Sequence, residues 1–195
     1  MLQFALLAFF LQVNQPSYQI TESIQVMQEK LTVQAASLEE DKFIPYQIDL
    51  DTDIQKYIWE LCVEFEVEFE LMLGIAFNES RFNPSLTSYD NSSRGLFQMN
   101  TSNTFPEEVA LNKIVNPNPF NPYHSSLTAV SHVKRLTDKY RDEGYKGENL
   151  TKRVLTAYRY GIGKSKRKNL NNGYVRVVLE YKHKLESGEI TVSHS

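Results

Sequence analysis

The chain has 195 residues, of which 41% are hydrophobic and 23% charged, and its formal net charge is −3. This ordinary globular composition excludes a collagen-like or low-complexity chain, and a single cysteine excludes an intrachain disulfide. The length predicts one domain with extensions, large enough to bury an independent core.

Charge is unevenly distributed along the chain. Residues 1–130 contain 6 Lys and Arg against 17 Asp and Glu, whereas residues 131–195 contain 15 against 7. A basic lobe can attract an anionic polymer. We favour the simpler interpretation that the two halves complement each other within the fold.

Two extensions precede the main domain. Residues 1–15 are largely apolar but shorter than the ~20 residues that a membrane-spanning helix needs, so they predict an export signal or a membrane anchor. Residues 16–45 are rich in Gln and carry apolar residues at helical spacing, which predicts a helical stalk. Pro45 marks a boundary. The main domain is expected over residues 46–190, followed by a tail at 191–195.

The domain begins with two predicted helices. Asp51 provides N-cap chemistry, and an apolar stripe follows as far as Phe65. Residues 63–70 alternate with period two, as in a strand, but helical spacing resumes beyond them and we interpret the run as helical. Pro84 ends the second helix. Cys62 falls on the apolar face and is interpreted as a core residue rather than a catalytic thiol.

The rest of the chain predicts a mainly α fold. Residues 85–100 indicate an irregular or hairpin segment, and residues 102–122, with their prolines and asparagines, a loop with a short helix. Three further helices are expected over residues 123–141, 149–160 and 171–186, separated by glycines.

Glu79 is the strongest candidate for catalysis. It lies at the end of an apolar helix, and a Gly95-Leu-Phe-Gln98 turn follows it. Burial beside apolar side chains raises the pKa of a carboxyl group, because desolvation disfavours the charged form. A carboxyl group that stays protonated near neutral pH can donate a proton to a leaving group, as glycosidic bond cleavage requires.

Three motifs follow one another along the chain: Glu79-Ser80-x-Phe82-x-Pro84, Gly95-Leu96-x-Gln98 and Ala157-Tyr158-Arg-Tyr-Gly161. In this order they resemble the motifs of the soluble lytic transglycosylase family, relatives of goose-type lysozymes. The stretch from Phe120 to Ala129 resembles the family's central helix and Tyr174-Val175 its closing helix, so that the match covers residues 50–186. The resemblance implies a lysozyme-like helical domain with a short turn near Val67 and a substrate of peptidoglycan glycan strands.

The resemblance also implies roles for residues around Glu79. Ser80 becomes a positioning hydroxyl, with helix-end capping as the alternative. Gln98 faces the sugar groove, where an amide can bind N-acetyl groups, or else bonds to its own turn. Tyr158 places a hydroxyl near the acid or packs in the core. Tyr160 offers a stacking surface for a sugar ring, and Ser93 joins the substrate-binding set. The family motif carries Asn and Ala where this chain has Arg159 and Tyr160, which changes the sugar contacts of that wall.

The second carboxylate decides the reaction. Glycoside hydrolases usually pair their acid with another Asp or Glu. Animal-type lysozymes carry an Asp two residues before the Gly of a similar turn, and here that position is Ser93. Asp90 is the nearest carboxylate upstream, although its Asp-Asn-Ser-Ser context is ordinary turn composition. A single acid suits the lytic transglycosylase reaction, in which the sugar's own 6-hydroxyl attacks C1.

Two alternatives therefore stay open beside a peptidoglycan lytic transglycosylase. One is a hydrolytic muramidase of the same fold. The other is a non-catalytic wall-binding module of a secretion, conjugation or phage apparatus. For each of them we expect an exported, monomeric protein of the cell envelope or exterior, associated with the membrane if residues 1–15 form an anchor.

Other binding functions are not expected. The Gly161-Ile-Gly163-Lys164-Ser165 sequence resembles the end of a phosphate-binding loop but lacks the first Gly and a preceding strand, so we predict no nucleotide, no cofactor and no nucleic-acid partner. The basic run from Lys164 to Lys168 is interpreted as a solvated loop. The four histidines show no metal-ligand spacing, and we predict no metal.

Overall fold

A computed structural model describes residues 43–191, of which residues 44–191 belong to one compact unit. The predictions for residues 1–15, for nearly all of the stalk and for the tail beyond residue 191 lie outside the described residues. The helices of the described part are α1 Thr52–Phe65, α2 Phe69–Ser80, α3 Thr104–Leu111, α4 Pro122–Asp142, α5 Gly147–Tyr160, α6 Ile162–Ser165 and α7 Gly173–Glu186. The mainly α prediction is confirmed.

Helices α1 and α2 are joined by a short turn. The Asp51 carboxylate accepts a hydrogen bond from the Asp53 amide and caps α1 at its N-terminus. At the other end Glu66 adopts a left-handed conformation with φ 54°, which stops α1 before α2 begins at Phe69. The period-two alternation of residues 63–70 therefore spans a helix end, a turn and a helix start, and it forms no strand.

Helix α2 is the centre of the core and carries Glu79 at its end. Residues 71–76 are buried on every side of the helix, as expected for one that is enclosed by its neighbours. Gly74 lets α7 approach closely, because a Cβ atom at this position would lie 2.8 Å from the backbone oxygen of Val178. The aromatic ring of Phe77 stacks on that of Tyr181 with centroids 3.9 Å apart. These contacts fix the direction in which α2 presents its last turn.

Helix α4 is the long helix that supports the other side. Asn121 caps it by accepting hydrogen bonds from two backbone amides, and Pro122 occupies its first turn, where a missing N–H costs nothing. Its buried face packs on α1, α3 and α5. Cys62 of α1 is buried, and burial raises the pKa of its thiol, in keeping with the core interpretation.

The segment between α2 and α3 contains the hairpin that the sequence predicts near residues 85–100. Strand β1 (Ser93–Arg94) pairs antiparallel with β2 (Met99–Asn100), with Ser93 opposite Asn100. Helix α3 is the short helix expected within residues 102–122, whereas the single turn of α6 was not expected. Within residues 43–191, none of the helices has both the length and the apolar character needed to cross a membrane.

Candidate active site

The end of α2, the hairpin, the α3–α4 pair and the end of α5 surround a cleft of about 620 Å³. It brings together most of the residues that the sequence singles out, although they are up to 81 positions apart in the chain between Glu79 and Tyr160. The candidates that line it are Glu79, Asp90, Ser93, Gln98, Tyr158 and Tyr160. Ser80 does not line the cleft.

Glu79 is a nearly buried acid. Its side chain is 8% exposed. Burial raises its pKa to about 6, against smaller opposing effects from the Tyr174 hydroxyl and the Arg159 charge. A carboxyl group with this pKa is largely protonated in mildly acidic solution, while its carboxylate remains accessible above pH 6. Glu79 can therefore donate a proton and later accept one.

Ser80 ties the end of α2 to the turn that follows the first hairpin strand. Its buried hydroxyl lies 2.7 Å from the backbone oxygen of Leu96 and 3.2 Å from that of Ala76. Arg81 and Phe82 then adopt left-handed conformations, with φ of 53° and 64°, which reverses the chain at once. This geometry corrects the assignment of Ser80 to the substrate-binding set, because its hydroxyl reaches backbone atoms and not the cleft.

Gln98 both bonds to its own turn and lies at the cleft. Its amide nitrogen donates to the backbone oxygens of Leu86 and Gly95, both at 2.9 Å, so both donor hydrogens hold the turn in place. The side chain still lines the cleft. Its amide oxygen is therefore the atom with which Gln98 can meet a ligand, and that atom can only accept a hydrogen bond.

The two tyrosines of α5 differ in their surroundings. The Tyr158 hydroxyl donates to the backbone oxygen of Phe97 at 2.8 Å and also lies 3.3 Å from the sulfur of Met99. Burial, followed by the charges of Glu79 and Glu108, raises the pKa of Tyr158, so that the hydroxyl stays neutral. One face of the Tyr160 ring is covered by Lys168, whose Nζ atom lies 4.9 Å from the ring centroid. Only the other face is available for stacking.

Two neighbours of Glu79 were not among the predicted site residues. The buried Tyr174 hydroxyl interacts with the Glu79 carboxyl group, although it has no partner in full hydrogen-bonding geometry among the described residues. Arg159 places Nη1 3.9 Å from Glu79 Oε2, and its guanidinium lies 5.8 Å from the centroid of the Tyr174 ring. The sequence could have pointed to both residues, since Arg159 lies in the Ala157–Gly161 motif and Tyr174 in the stretch that resembles the family's closing helix.

Asp90 is an exposed carboxylate held by its own turn. Its Oδ1 atom accepts hydrogen bonds from the hydroxyls of Ser88 at 2.7 Å and Ser92 at 2.8 Å and from the Ser92 amide at 3.1 Å. These bonds lower the pKa of Asp90 to about 2. Asp90 is therefore an anion at neutral pH but a weak base. Ser93, on β1, lines the cleft beside it.

The described residues contain no group of three or more His, Cys, Asp or Glu side chains arranged to hold a metal ion. His124 accepts a hydrogen bond from the Asn118 amide, and His132 bonds to Glu108.

The fold and the cleft define a class: a lysozyme-like helical domain with one nearly buried acid between a helix end and a hairpin. A comparison with family models gives a match to the transglycosylase SLT domain over residues 56–176, and the chain belongs to this family. The family fold is of the type that acts on peptidoglycan. A comparison with curated proteins finds no match.

Arg159 gives a prediction on pH dependence. Its positive charge lowers the pKa of Glu79, so Arg159→Asn, which introduces the residue of the family motif, should raise that pKa above its present value of about 6. If protonated Glu79 donates the proton that starts bond cleavage, activity falls as pH rises through this pKa. The alkaline limb of kcat/KM against pH should therefore move to higher pH. Arg159→Lys, which keeps the charge, serves as the control. If the alkaline limb does not move in Arg159→Asn, the charge of Arg159 does not lower the pKa of Glu79 and the prediction is wrong.

Proposed function

We propose that this chain is a peptidoglycan lytic transglycosylase, which cleaves the bond between N-acetylmuramic acid and N-acetylglucosamine and leaves 1,6-anhydro-N-acetylmuramic acid ends. The observation that carries the proposal is Glu79, a nearly buried acid with a raised pKa in a cleft of about 620 Å³. Family membership supports peptidoglycan as the substrate.

In the proposed reaction Glu79 acts twice. The protonated carboxyl group first donates its proton to the oxygen that links the two sugars, and the bond from this oxygen to C1 breaks. The carboxylate then removes the proton of the 6-hydroxyl of the muramic acid, whose oxygen forms a new bond to C1. The proton count is restored and no water is consumed. A pKa of about 6 suits both steps, because neither protonation state is strongly disfavoured near neutral pH.

The other carboxylates of the cleft support the same choice. Hydrolysis on the two-carboxylate plan needs an anion that attacks C1 or activates water. Asp90 is exposed, and one of its oxygens already accepts three hydrogen bonds. Glu107 lies beside Arg135, with 2.9 Å between Oε1 and Nη2. Both side chains are exposed and already engaged by these partners.

Product analysis tests the reaction directly. Cell wall digested in ¹⁸O-labelled water should yield muropeptides with anhydro ends and no incorporated label, as read by mass spectrometry. In parallel, Asp90→Asn should change the rate by only a few-fold, because the residue is not the base.

A contrary result has a clear form. Reducing ends that carry one ¹⁸O, together with an Asp90→Asn defect comparable to that of Glu79→Gln, would assign the hydrolytic muramidase reaction to the same cleft. No product of either kind from purified wall would favour the non-catalytic wall-binding module. Because the proposed substrate lies outside the cytoplasmic membrane, we also propose that the protein works in the cell envelope or beyond it.

A further inference from the structure

A second acid, Glu108, lies fully buried beneath the cleft and has no part in the proposed reaction. It belongs to α3, and three side chains of α4 donate to it: Ser131 Oγ at 2.8 Å, Arg135 Nε at 2.8 Å and His132 Nδ1 at 3.0 Å. Burial alone would raise the pKa of Glu108, but the bonds from His132 and Ser131 and the charge of Arg135 lower it overall. Glu108 is therefore an ionised carboxylate with its partners in place.

His132 is the member of this cluster that connects Glu108 to the cleft with an uncommitted atom. It lines the cleft with a side chain that is 12% exposed, and its ring centroid lies 5.7 Å from that of Tyr158. An ionised carboxylate can only accept, so the hydrogen of a neutral His132 ring must be on Nδ1. Nε2 is then a hydrogen-bond acceptor. None of residues 43–191 donates a hydrogen bond to Nε2, and Nε2 is not one of the buried polar atoms that lack a partner.

Acceptors on this wall of the cleft are largely engaged elsewhere. The side-chain oxygen of Asn103 caps α3 by accepting from the Thr104 amide, and that of Asn100 accepts from the Ser102 amide. Glu107 and Arg135 are paired with each other. A sugar chain presents hydroxyl and acetamido N–H groups, which lose hydrogen bonds to water when they enter a cleft and need acceptors there.

We propose that His132, with its tautomer fixed by Glu108, is a substrate-positioning residue whose Nε2 atom accepts a hydrogen bond from a hydroxyl or acetamido N–H group of the glycan strand. The inference rests on the proposed function and extends it, because it places an uncharged hydrogen-bond donor of the sugar on the α3–α4 side of the cleft. Glu108 acts through His132 and does not touch the substrate.

Two substitutions separate this role from a purely structural one. In the full-length chain, His132→Asn keeps an amide N–H at the position of Nδ1 for Glu108 but places no atom at Nε2. His132→Gln reaches the position of Nε2 with an acceptor oxygen but gives up the bond to Glu108. Ser131→Ala is the matched control, because it removes another donor to Glu108 without reaching the cleft.

For a positioning residue, His132→Asn should raise KM for soluble glycan strands about 3- to 10-fold with kcat within about twofold, the loss of one neutral hydrogen bond. His132→Gln should keep KM closer to wild type in spite of a lower Tm, and Ser131→Ala should lower Tm with KM unchanged. If KM instead follows Tm across the three variants, or stays at the wild-type value in His132→Asn, the inference is overturned.

Binding measurements keep this test apart from that of the reaction. Calorimetry with an N-acetylglucosamine–N-acetylmuramic acid tetrasaccharide compares the Glu79→Gln protein with the same protein carrying His132→Asn. The double variant should bind about 3- to 10-fold more weakly. Equal affinity removes the role of His132 alone. A wild-type protein that binds the tetrasaccharide but cleaves no wall removes the proposed reaction and leaves the role of His132 standing.

Discussion

Glu79→Gln should abolish wall lysis while the protein stays folded. The amide has nearly the same shape as the acid but cannot transfer a proton, and general acid–base groups typically contribute on the order of 10²- to 10⁴-fold to a rate. The proposed reaction uses this one carboxyl group in both steps, so the upper part of that range is expected. A turbidity assay on purified cell wall measures the loss. Retention of more than about a tenth of the wild-type rate would remove Glu79 from the role.

The same variant should be more stable than wild type at alkaline pH. Burial raises the pKa of Glu79 from 4.5 to about 6, so the folded state favours the protonated form. Below pH 4.5 the acid is protonated in both states and costs nothing. As pH rises through 6, the folded protein must bury a charge, at a cost of about 2 kcal/mol for a shift of this size. The variant lacks this cost, because Gln is neutral at every pH.

Urea unfolding at pH 4 and pH 8 checks this sign. The free energy of unfolding of Glu79→Gln should exceed that of wild type at pH 8 and approach it at pH 4. Equal differences at both pH values would mean that the substitution acts through packing and that the pKa of Glu79 is not raised in the fold. A stabilising substitution that removes activity is typical of a residue whose environment serves function at the expense of stability.

The sequence predicted the fold well where local patterns and motifs agreed. The apolar helix before Glu79 and the hairpin within residues 85–100 follow from spacing and turn chemistry, and the structure contains both. The helix ends at Ser80, where Arg81 adopts a left-handed conformation, and so stops before the predicted end at Pro84. The alternation of residues 63–70 was ambiguous on its own. Helical spacing beyond it decided the interpretation, because a helix end and the start of the next can together imitate a period of two.

The cleft was harder to predict, because its chemistry depends on contacts between distant segments. Placing Gln98 near the cleft follows from its turn, but the use of its amide hydrogens for Leu86 and Gly95 depends on backbone positions that a motif does not give. Tyr174 reaches Glu79 only because α7 packs on α2. His132 and Glu108 are ordinary residues of two amphipathic helices until α3 folds against α4.

Gly95→Ala should cause the largest loss of stability among simple substitutions near the site. A Cβ atom at Gly95 would lie 1.9 Å from the backbone oxygen of Pro119 and 3.0 Å from its carbonyl carbon, and φ is +82°. Neither neighbour is a flexible side-chain end, so the backbone itself must move. We expect a loss of about 3 kcal/mol or more, from the left-handed conformation and the overlap together.

Gly144→Ala is a matched control for this prediction. Gly144 has φ of +90°, but nothing lies within 4 Å of a Cβ atom built there. Its substitution should cost only the conformational penalty, roughly 1 kcal/mol. Thermal unfolding of the two variants therefore measures the overlap with Pro119 as a difference. Equal losses of stability in the two variants would mean that the backbone around Pro119 moves aside at little cost. Close packing against Pro119 would then not be what holds the turn in place.

Activity should separate the same two variants. The turn that begins at Gly95 carries Leu96, whose backbone oxygen receives the Ser80 hydroxyl, and Gln98, whose amide returns to Gly95. A displaced turn would shift the wall of the cleft that faces Glu79, and misplacement by about 1 Å can cost on the order of 10²-fold in rate. Wall lysis by Gly95→Ala, assayed well below its Tm, should fall far more than lysis by Gly144→Ala. Equal rates would show that the acid keeps its position without the turn, and the link through Ser80 would lose its role.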